Sequence, residues 1–384
     1  MSINFDSIRS YRDEEVPGAL LKLTGEKQFM NLLSTVFPLL PKEVLKHRLL
    51  SFHTVSDFQK GMDYPFLKGL EETKTKGIKL QGLEKIDTSK SCLYISNHRD
   101  IVLDAAFFCI KLIDNNMDTV EIAIGDNLLI FPWIENLVRV NKSFIVRRGL
   151  NSREILESSR LLSSYIANAI TERNQSVWLA QREGRAKDSD DRTQESLLKM
   201  LNMYGDGNFI ENLCRLNIVP LSISYEYDPC DYLKAKEFQQ RRDNPDFKKS
   251  PKDDLLNMQV GVMGYKGRVT YTLTECINDE LTEMAGEDLS RKEEVSYTAA
   301  LIDRRIHSGY VIYQSNKIAY DLLTGEKRFE RDYTALERLD FEKYILLQIG
   351  KIDLEQKDEA FLRRKLLKMY ANPLVNYLEA IEKR

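Results

Sequence analysis

The segment SNHRDIVLD, residues 96–104, closes an apolar run (Leu93, Tyr94, Ile95) and carries a histidine followed by carboxylates. Histidine is the side chain whose unperturbed pKa lies nearest neutrality, which suits it to general-base work. A carboxylate on its far nitrogen would fix the tautomer and stabilise the imidazolium. The chain has four histidines, and His47, His53 and His307 sit in no comparable context. His98 and Asp104 are six residues apart. On one continuous helix they would point about 120° apart and could not pair. His98 is therefore expected in a turn before a helix, with Asp104 reaching back from the first helical turn. Asp100 is the natural N-cap of that helix, predicted from Ile101 to about Leu112. The helix is apolar, so a carboxylate buried within it needs a partner, and His98 is the nearest candidate. The bland alternative is that Asn97 and His98 close a strand and Asp104 faces water.

Three more segments follow. The stretch 124–150 ends in a short strand, then Arg147 and Arg148. An arginine pair there could clamp a phosphate bidentately; a solvated basic turn is the alternative. In the stretch 177–194 an apolar strand runs into Glu183, Gly184 and Arg185. Strand ends are where open α/β sheets keep their ligands, although a charged loop would read the same way. The last segment, NIVPLSISYEY at 217–227, is a strand with Pro220 early in it.

These segments need a scaffold. Residues 1–75 read as helical, with Phe29, Leu32, Leu33, Val36, Phe37 and Leu40 at helical spacing. From 76 to about 285 strands and helices alternate, with strands expected at 93–96, 120–124, 143–146, 177–180, 218–225 and 268–274. Between them a helix is expected at 152–173, opened by a capping box of Asn151 and Glu154. The alternation predicts an α/β domain on a central mixed β-sheet flanked by helices. Residues 228–264 are charged and turn-rich and read as an excursion loop. Residues 286–384 read as a helical extension ending in an apolar and cationic helix.

The 384 residues are 42% hydrophobic and 30% charged, enough for a substantial core. A net charge of −3 gives no bulk signal for nucleic acid. The five scattered cysteines show no CxxC spacing, which predicts a reduced compartment with neither zinc nor disulfides. The N-terminus shows no signal peptide, and no apolar stretch approaches the roughly 20 residues that span a bilayer. A lipid substrate would be met from the membrane surface.

The order Asn-His…Asp, Phe-Ile-Val-Arg-Arg, Glu-Gly-Arg, Ile-Val-Pro-Leu resembles the four blocks of the glycerolipid acyltransferase superfamily, which includes glycerol-3-phosphate and lysophosphatidate acyltransferases. The stretch IGDNLLIFP before SFIVRR resembles the glycerol-3-phosphate and dihydroxyacetone-phosphate branch. The resemblance covers roughly 77–274. It implies an acyltransferase of phospholipid or membrane lipid synthesis, with His98 as the base on the acceptor hydroxyl and Asp104 orienting it. It places Arg147 and Arg148 near a phosphate or polar head, gives Glu183, Gly184 and Arg185 to the acceptor site, and makes Pro220 structural or close to the donor. It implies no cofactor and no metal: the co-substrate is acyl-CoA or acyl carrier protein, and the acceptor a glycerol phosphate or lysolipid. The expected location is cytoplasmic, peripheral on the inner face of the membrane, with the terminal helices docking there.

Two departures stand out. The family separates its His and Asp by four residues, and here five intervene, so either the turn absorbs one or Asp100 takes the orienting role. The family also keeps a residue between the Gly and Arg of its third block. Here Arg185 follows Gly184 directly, with Lys187 as a substitute. Three rival readings stand beside this one. His98-Arg99-Asp100 opens a kinase-like HRD loop, but Ala105 stands where Asn is required and no DFG follows. A non-catalytic lipid-surface protein would keep the fold. An acylated amino-acid lipid would use the same base.

Overall fold

A computed structural model describes residues 3–382. Its seven strands are β1 (Ile78–Gln81), β2 (Leu93–Ser96), β3 (Glu121–Gly125), β4 (Ser143–Val146), β5 (Val177–Ala180), β6 (Ile218–Tyr225) and β7 (Val269–Leu273). They form one sheet in the order β1-β7-β6-β2-β5-β3-β4. Neighbours are parallel except β6 and β7, which pair antiparallel. The sheet is mixed and flanked by helices, as expected from the alternation. The six expected strands form within one residue of their predicted ends. β1 escapes the apolar pattern because it is a four-residue edge strand, IKLQ, of which only Ile78 is buried.

The two faces of the sheet bury alternate residues, as the pleat requires. Leu93 and Ile95 of β2 join a core with Tyr165, Ile166 and Ile170 of the helix Ser152–Thr171 and Ile302 of the helix Arg291–Ser308. Tyr94 faces the other way, toward Phe107 and Phe108 of the helix Leu103–Asp114. A fully buried side chain of this size contributes about 1.5–3 kcal/mol. The capping box at Asn151 forms both of its bonds: Asn151 Oδ1 accepts from the Glu154 N–H at 3.1 Å, and Glu154 Oε2 accepts from the Asn151 N–H at 3.0 Å.

The N-terminal helices hold their own apolar cluster, including Leu20, Leu23, Leu45 and Leu49. A further cluster joins Phe341, Ile345, Leu366 and Tyr370 near the C-terminus. Two expectations need correction. The stretch read as an excursion loop forms two helices, Asp231–Asp243 and Pro251–Met263. The C-terminal helix Glu359–Glu382 turns Leu362, Leu366, Leu367, Met369 and Leu374 into the protein, so its apolar side is not free for a membrane. Among the described residues no helix is long and apolar enough to cross a membrane.

Candidate active site

The parallel strands β2, β3, β4 and β5 end in register: Ser96 lies beside Ala180, and Gly125 beside Val146. Whatever follows each strand therefore gathers along one sheet edge, the carboxyl edge where α/β folds place ligands. β6 runs past the end of β2 by four residues, Ser222–Tyr225. Asn97 fills that step. Its Nδ2 donates to the Ile223 carbonyl at 2.9 Å, and its Oδ1 accepts from the Ile223 N–H at 2.8 Å. The side chain thus continues the ladder after the backbone has left it, and the loop turns His98 outward from a fixed point. Asn97 is fully buried. We expect Asn97→Leu to leave both Ile223 backbone groups unpaired and to cost about 1–3 kcal/mol for each. Chemical denaturation of the variant measures this.

His98 Nδ1 lies 2.8 Å from Asp104 Oδ2. The same oxygen accepts the backbone N–H groups of Arg99 at 2.6 Å and Asp100 at 3.0 Å. That oxygen is an acceptor for both N–H groups, and His98 Nδ1 meets it as a third donor, which puts the ring proton on Nδ1. Nε2 is then the basic nitrogen, and it has no protein partner among the described residues. Asp104 is fully buried and its Oδ1 is unpartnered, while His98 keeps 14% of its side chain exposed. The imidazole also meets the Trp178 ring edge to face, at 5.9 Å between centroids.

The extra residue between His98 and Asp104 is absorbed in the turn. The helix starts at Leu103, two residues later than expected. Asp100 caps the residues before it, its Oδ1 accepting from the Val102 and Leu103 N–H groups at 2.9 and 2.8 Å. Burial, and then the nearby charge of Asp104, pushes the Asp100 pKa upward. Of the two candidate carboxylates, Asp104 meets the histidine.

Arg99 points backward. Its Nη2 donates to Asp191 Oδ2 at 2.6 Å in a buried ion pair. This ties the His98 turn to the loop after β5. The pairing spans 92 residues, and no sequence signal announces it.

His98 lines a cavity of about 1840 Å³. One part of its wall is apolar, including Val102, then Ala106, Ile110 and Ile113 of the 103–114 helix, together with Leu70 and Leu137. Another part is cationic: Arg148, Arg182, Arg185, Lys187, Lys234 and Lys249. Most of these charges have local partners. Arg148 pairs with Glu183, Lys187 with Glu237, Lys234 with Asp228 and Lys249 with Asp254. Burial lowers the Lys187 pKa against the pull of Glu237. Arg185 Nη2 donates to Asn257 Oδ1 at 3.0 Å, and Arg148 donates its backbone N–H to Asp126 Oδ1 at 3.1 Å. Arg148 Nε and Arg185 Nη1 remain buried without any partner.

The structure thus brings His98, Asp104, Arg148, Glu183, Gly184 and Arg185 to one cavity. Gly184 adopts a left-handed φ of 68°, which suits glycine at this turn. Lys187 lines the cavity beside them. Arg147 does not join them. Val146 and Arg148 line the cavity, and the alternation of an extended chain sends Arg147 the other way, into solvent. Pro220 sits within β6, opposite Ile95 of β2. Sequence reasoning missed Asn97 as a ladder surrogate, and Lys234, Lys249 and Asn257, which come from the two helices of the 228–264 insertion and the link between them. The insertion packs closely against the turn between His98 and Asp104, for a Cβ placed on Gly261 would fall 2.1 Å from Asp100 Oδ2.

The family model described as Acyltransferase matches residues 77–224. Residues 77–224 are an acyltransferase domain. The matched span begins one residue before β1 and runs to the penultimate residue of β6, so it contains His98, Asp104 and every arginine named above. The crystal structure of the 1-acyl-sn-glycerophosphate acyltransferase PlsC from Thermotoga maritima is also similar to this acyltransferase. The two are 14% identical, with 74% of this chain and 94% of that chain covered and a TM-score of 0.35, a likeness too slight to add weight. No curated protein matches the sequence.

Proposed function

We propose that this acyltransferase moves a fatty acyl group from a thioester, acyl-CoA or acyl carrier protein, to the hydroxyl of a glycerol phosphate or lysolipid in membrane lipid synthesis. The observation that carries the proposal is a single cavity with His98 on its wall, apolar along one stretch and cationic along another. An acyl chain and an anionic head need those two linings, and the reacting carbonyl and hydroxyl must meet beside the base. His98 Nε2 removes the proton from the acceptor hydroxyl as its oxygen bonds to the thioester carbonyl carbon. The tetrahedral intermediate then expels the thiolate, breaking the C–S bond, and the thiolate takes the proton from the imidazolium. Asp104 holds the ring in the reacting tautomer throughout. The chemistry needs positioning and one base, with neither a metal nor an enzyme nucleophile.

The unpartnered N–H groups of Arg148 Nε and Arg185 Nη1 favour a phosphorylated acceptor, because a buried charged donor without a partner is costly until an anion meets it. We expect Arg148→Gln to raise KM for glycerol-3-phosphate by about 10–100-fold, the worth of a charge-assisted hydrogen bond of roughly 1.5–3 kcal/mol. Arg147→Gln should leave it within about twofold, since an exposed charge near the site adds little. Steady-state kinetics on the two variants distinguishes them. Equal effects would move the phosphate out of the cavity, and no effect from either would favour an acylated amino-acid lipid as acceptor.

The proposal includes a peripheral position on the inner face of the membrane. Leu32, Phe131, Ile155, Leu255 and Met263 line the cavity and are also solvent-exposed, so its rim is apolar. Exposed Leu21, Leu39 and Val44 extend apolar surface over the N-terminal helices. Such a rim lets a lipid enter from a bilayer surface without crossing bulk water.

A further inference from the structure

The apolar arm of the cavity is not apolar throughout. The cavity follows one face of the sheet from the carboxyl edge, where His98 and Gly125 line it, toward the amino edge, where Thr119, Asn141 and Ser143 line it. The four steps of β3 alone put about 13 Å between those edges. At the far edge four polar side chains face the cavity: Gln59, Asp63, Thr119 and Asn141. Ile110, Ile122 and Val138 line the same region.

The local backbone is unusual there. Residues Gln59–Asp63 form a π-helical turn, closed by the Tyr64 N–H on the Gln59 carbonyl. Single π turns are rare and are frequently found at functional sites. This one turns Gln59 and Asp63 to the cavity. Thr119 Oγ1 donates to Gln59 Oε1 at 2.8 Å, so that pair is satisfied. Asp63 has no ion-pair partner among the described residues. Burial pushes its pKa up to about 8, with the Asn141 side chain opposing. Its carboxyl is therefore mostly protonated at neutral pH, and can both donate and accept one hydrogen bond. Nothing in a plain alkyl chain would use that capacity.

We propose that Asp63, with Asn141, binds a hydroxyl on the distal part of the acyl chain, so that this enzyme selects hydroxylated fatty acyl groups. The proposal rests on the reading of the cavity as the acyl site. The hydroxyl it recognises lies well away from the thioester, because Asp63 and His98 sit at opposite edges of the sheet. A hydroxyl next to the thioester would remain beside His98 and gain nothing from Asp63.

Displacement of a fluorescent fatty acid from the full-length protein tests this without needing turnover. The competitors are palmitate, β-hydroxypalmitate, mid-chain hydroxypalmitate and ω-hydroxypalmitate. Wild type should bind the mid-chain or the ω-hydroxy acid at least about tenfold more tightly than palmitate or the β-hydroxy acid, the worth of one buried hydrogen bond. Asp63→Leu should abolish the preference, and Asp63→Asn, which keeps a donor and an acceptor, should restore most of it. If Asp63→Leu does not fold, Asn141→Leu must reduce the preference in its place. Equal displacement by all four acids overturns hydroxyl recognition and leaves the acyl site standing. So does a preference that survives removal of the Asp63 carboxyl. A cavity that binds neither the probe nor any of the acids overturns both.

Discussion

Replacing His98 by alanine lowers acyl transfer by about 10²–10⁴-fold, the usual worth of a positioned general base, and leaves the protein folded. The expectation of folding follows from what His98 touches. It makes one side-chain hydrogen bond, to Asp104, and an edge contact with Trp178. Without the imidazole, Asp104 Oδ2 still accepts the Arg99 and Asp100 N–H groups, so the buried carboxylate is not stranded. Asn97 still fixes the loop on Ile223. Loss of activity with an unchanged thermal transition therefore reports chemistry rather than collapse. Initial rates together with thermal unfolding check it, and full activity in His98→Ala would remove the mechanism.

Asp104→Asn should cost far more activity than Asp100→Asn. A carboxamide at Asp104 must keep its oxygen on the Arg99 and Asp100 N–H groups, so it meets His98 Nδ1 as a neutral and weaker acceptor. It also removes the negative charge that would steady the imidazolium. We expect a loss approaching that of His98→Ala, about 10²–10⁴-fold. Asp100→Asn keeps an oxygen for the Val102 and Leu103 N–H groups, and asparagine caps about as well as aspartate. Its effect on rate should stay within about tenfold. Comparing kcat of the two variants decides the matter, and the reverse ranking would transfer the orienting role to Asp100.

Much of this site was legible because its chemistry constrains its spacing. A separation of six residues between a histidine and a carboxylate forbids a shared helix face, and that alone implied a turn, a cap and a reaching Asp104. What the turn does with its extra residue was not legible, because it depends on Asp100 capping two N–H groups ahead of the helix. The six strands that form the body of the sheet announced themselves as β-branched and aromatic runs. The two helices at 231–263 did not, for a physical reason: the buried residues of the first include Asp231, Lys234, Glu237 and Gln239. A polar residue buried by pairing looks, in a sequence, like a solvated one. One signal was available. Ser250, Pro251 and Asp253 form a capping box with proline at the first helical position, which marks a helix start inside an apparent loop. Arg147 and Arg148 looked equivalent as a pair, and only the strand's alternation separates them.

The central claim is that the His98–Asp104 dyad transfers acyl groups from a thioester to a hydroxyl within this cavity. Its most direct test is transfer of radiolabelled palmitate from palmitoyl-CoA and from palmitoyl carrier protein to glycerol-3-phosphate, lysophosphatidate, monoacylated ornithine and monoacylated glycine, with His98→Ala beside the wild type. The account predicts labelled product with at least one phosphorylated acceptor, reduced by about 10²–10⁴-fold in the variant. No transfer to any acceptor from folded protein, or transfer that persists undiminished in His98→Ala, would contradict it.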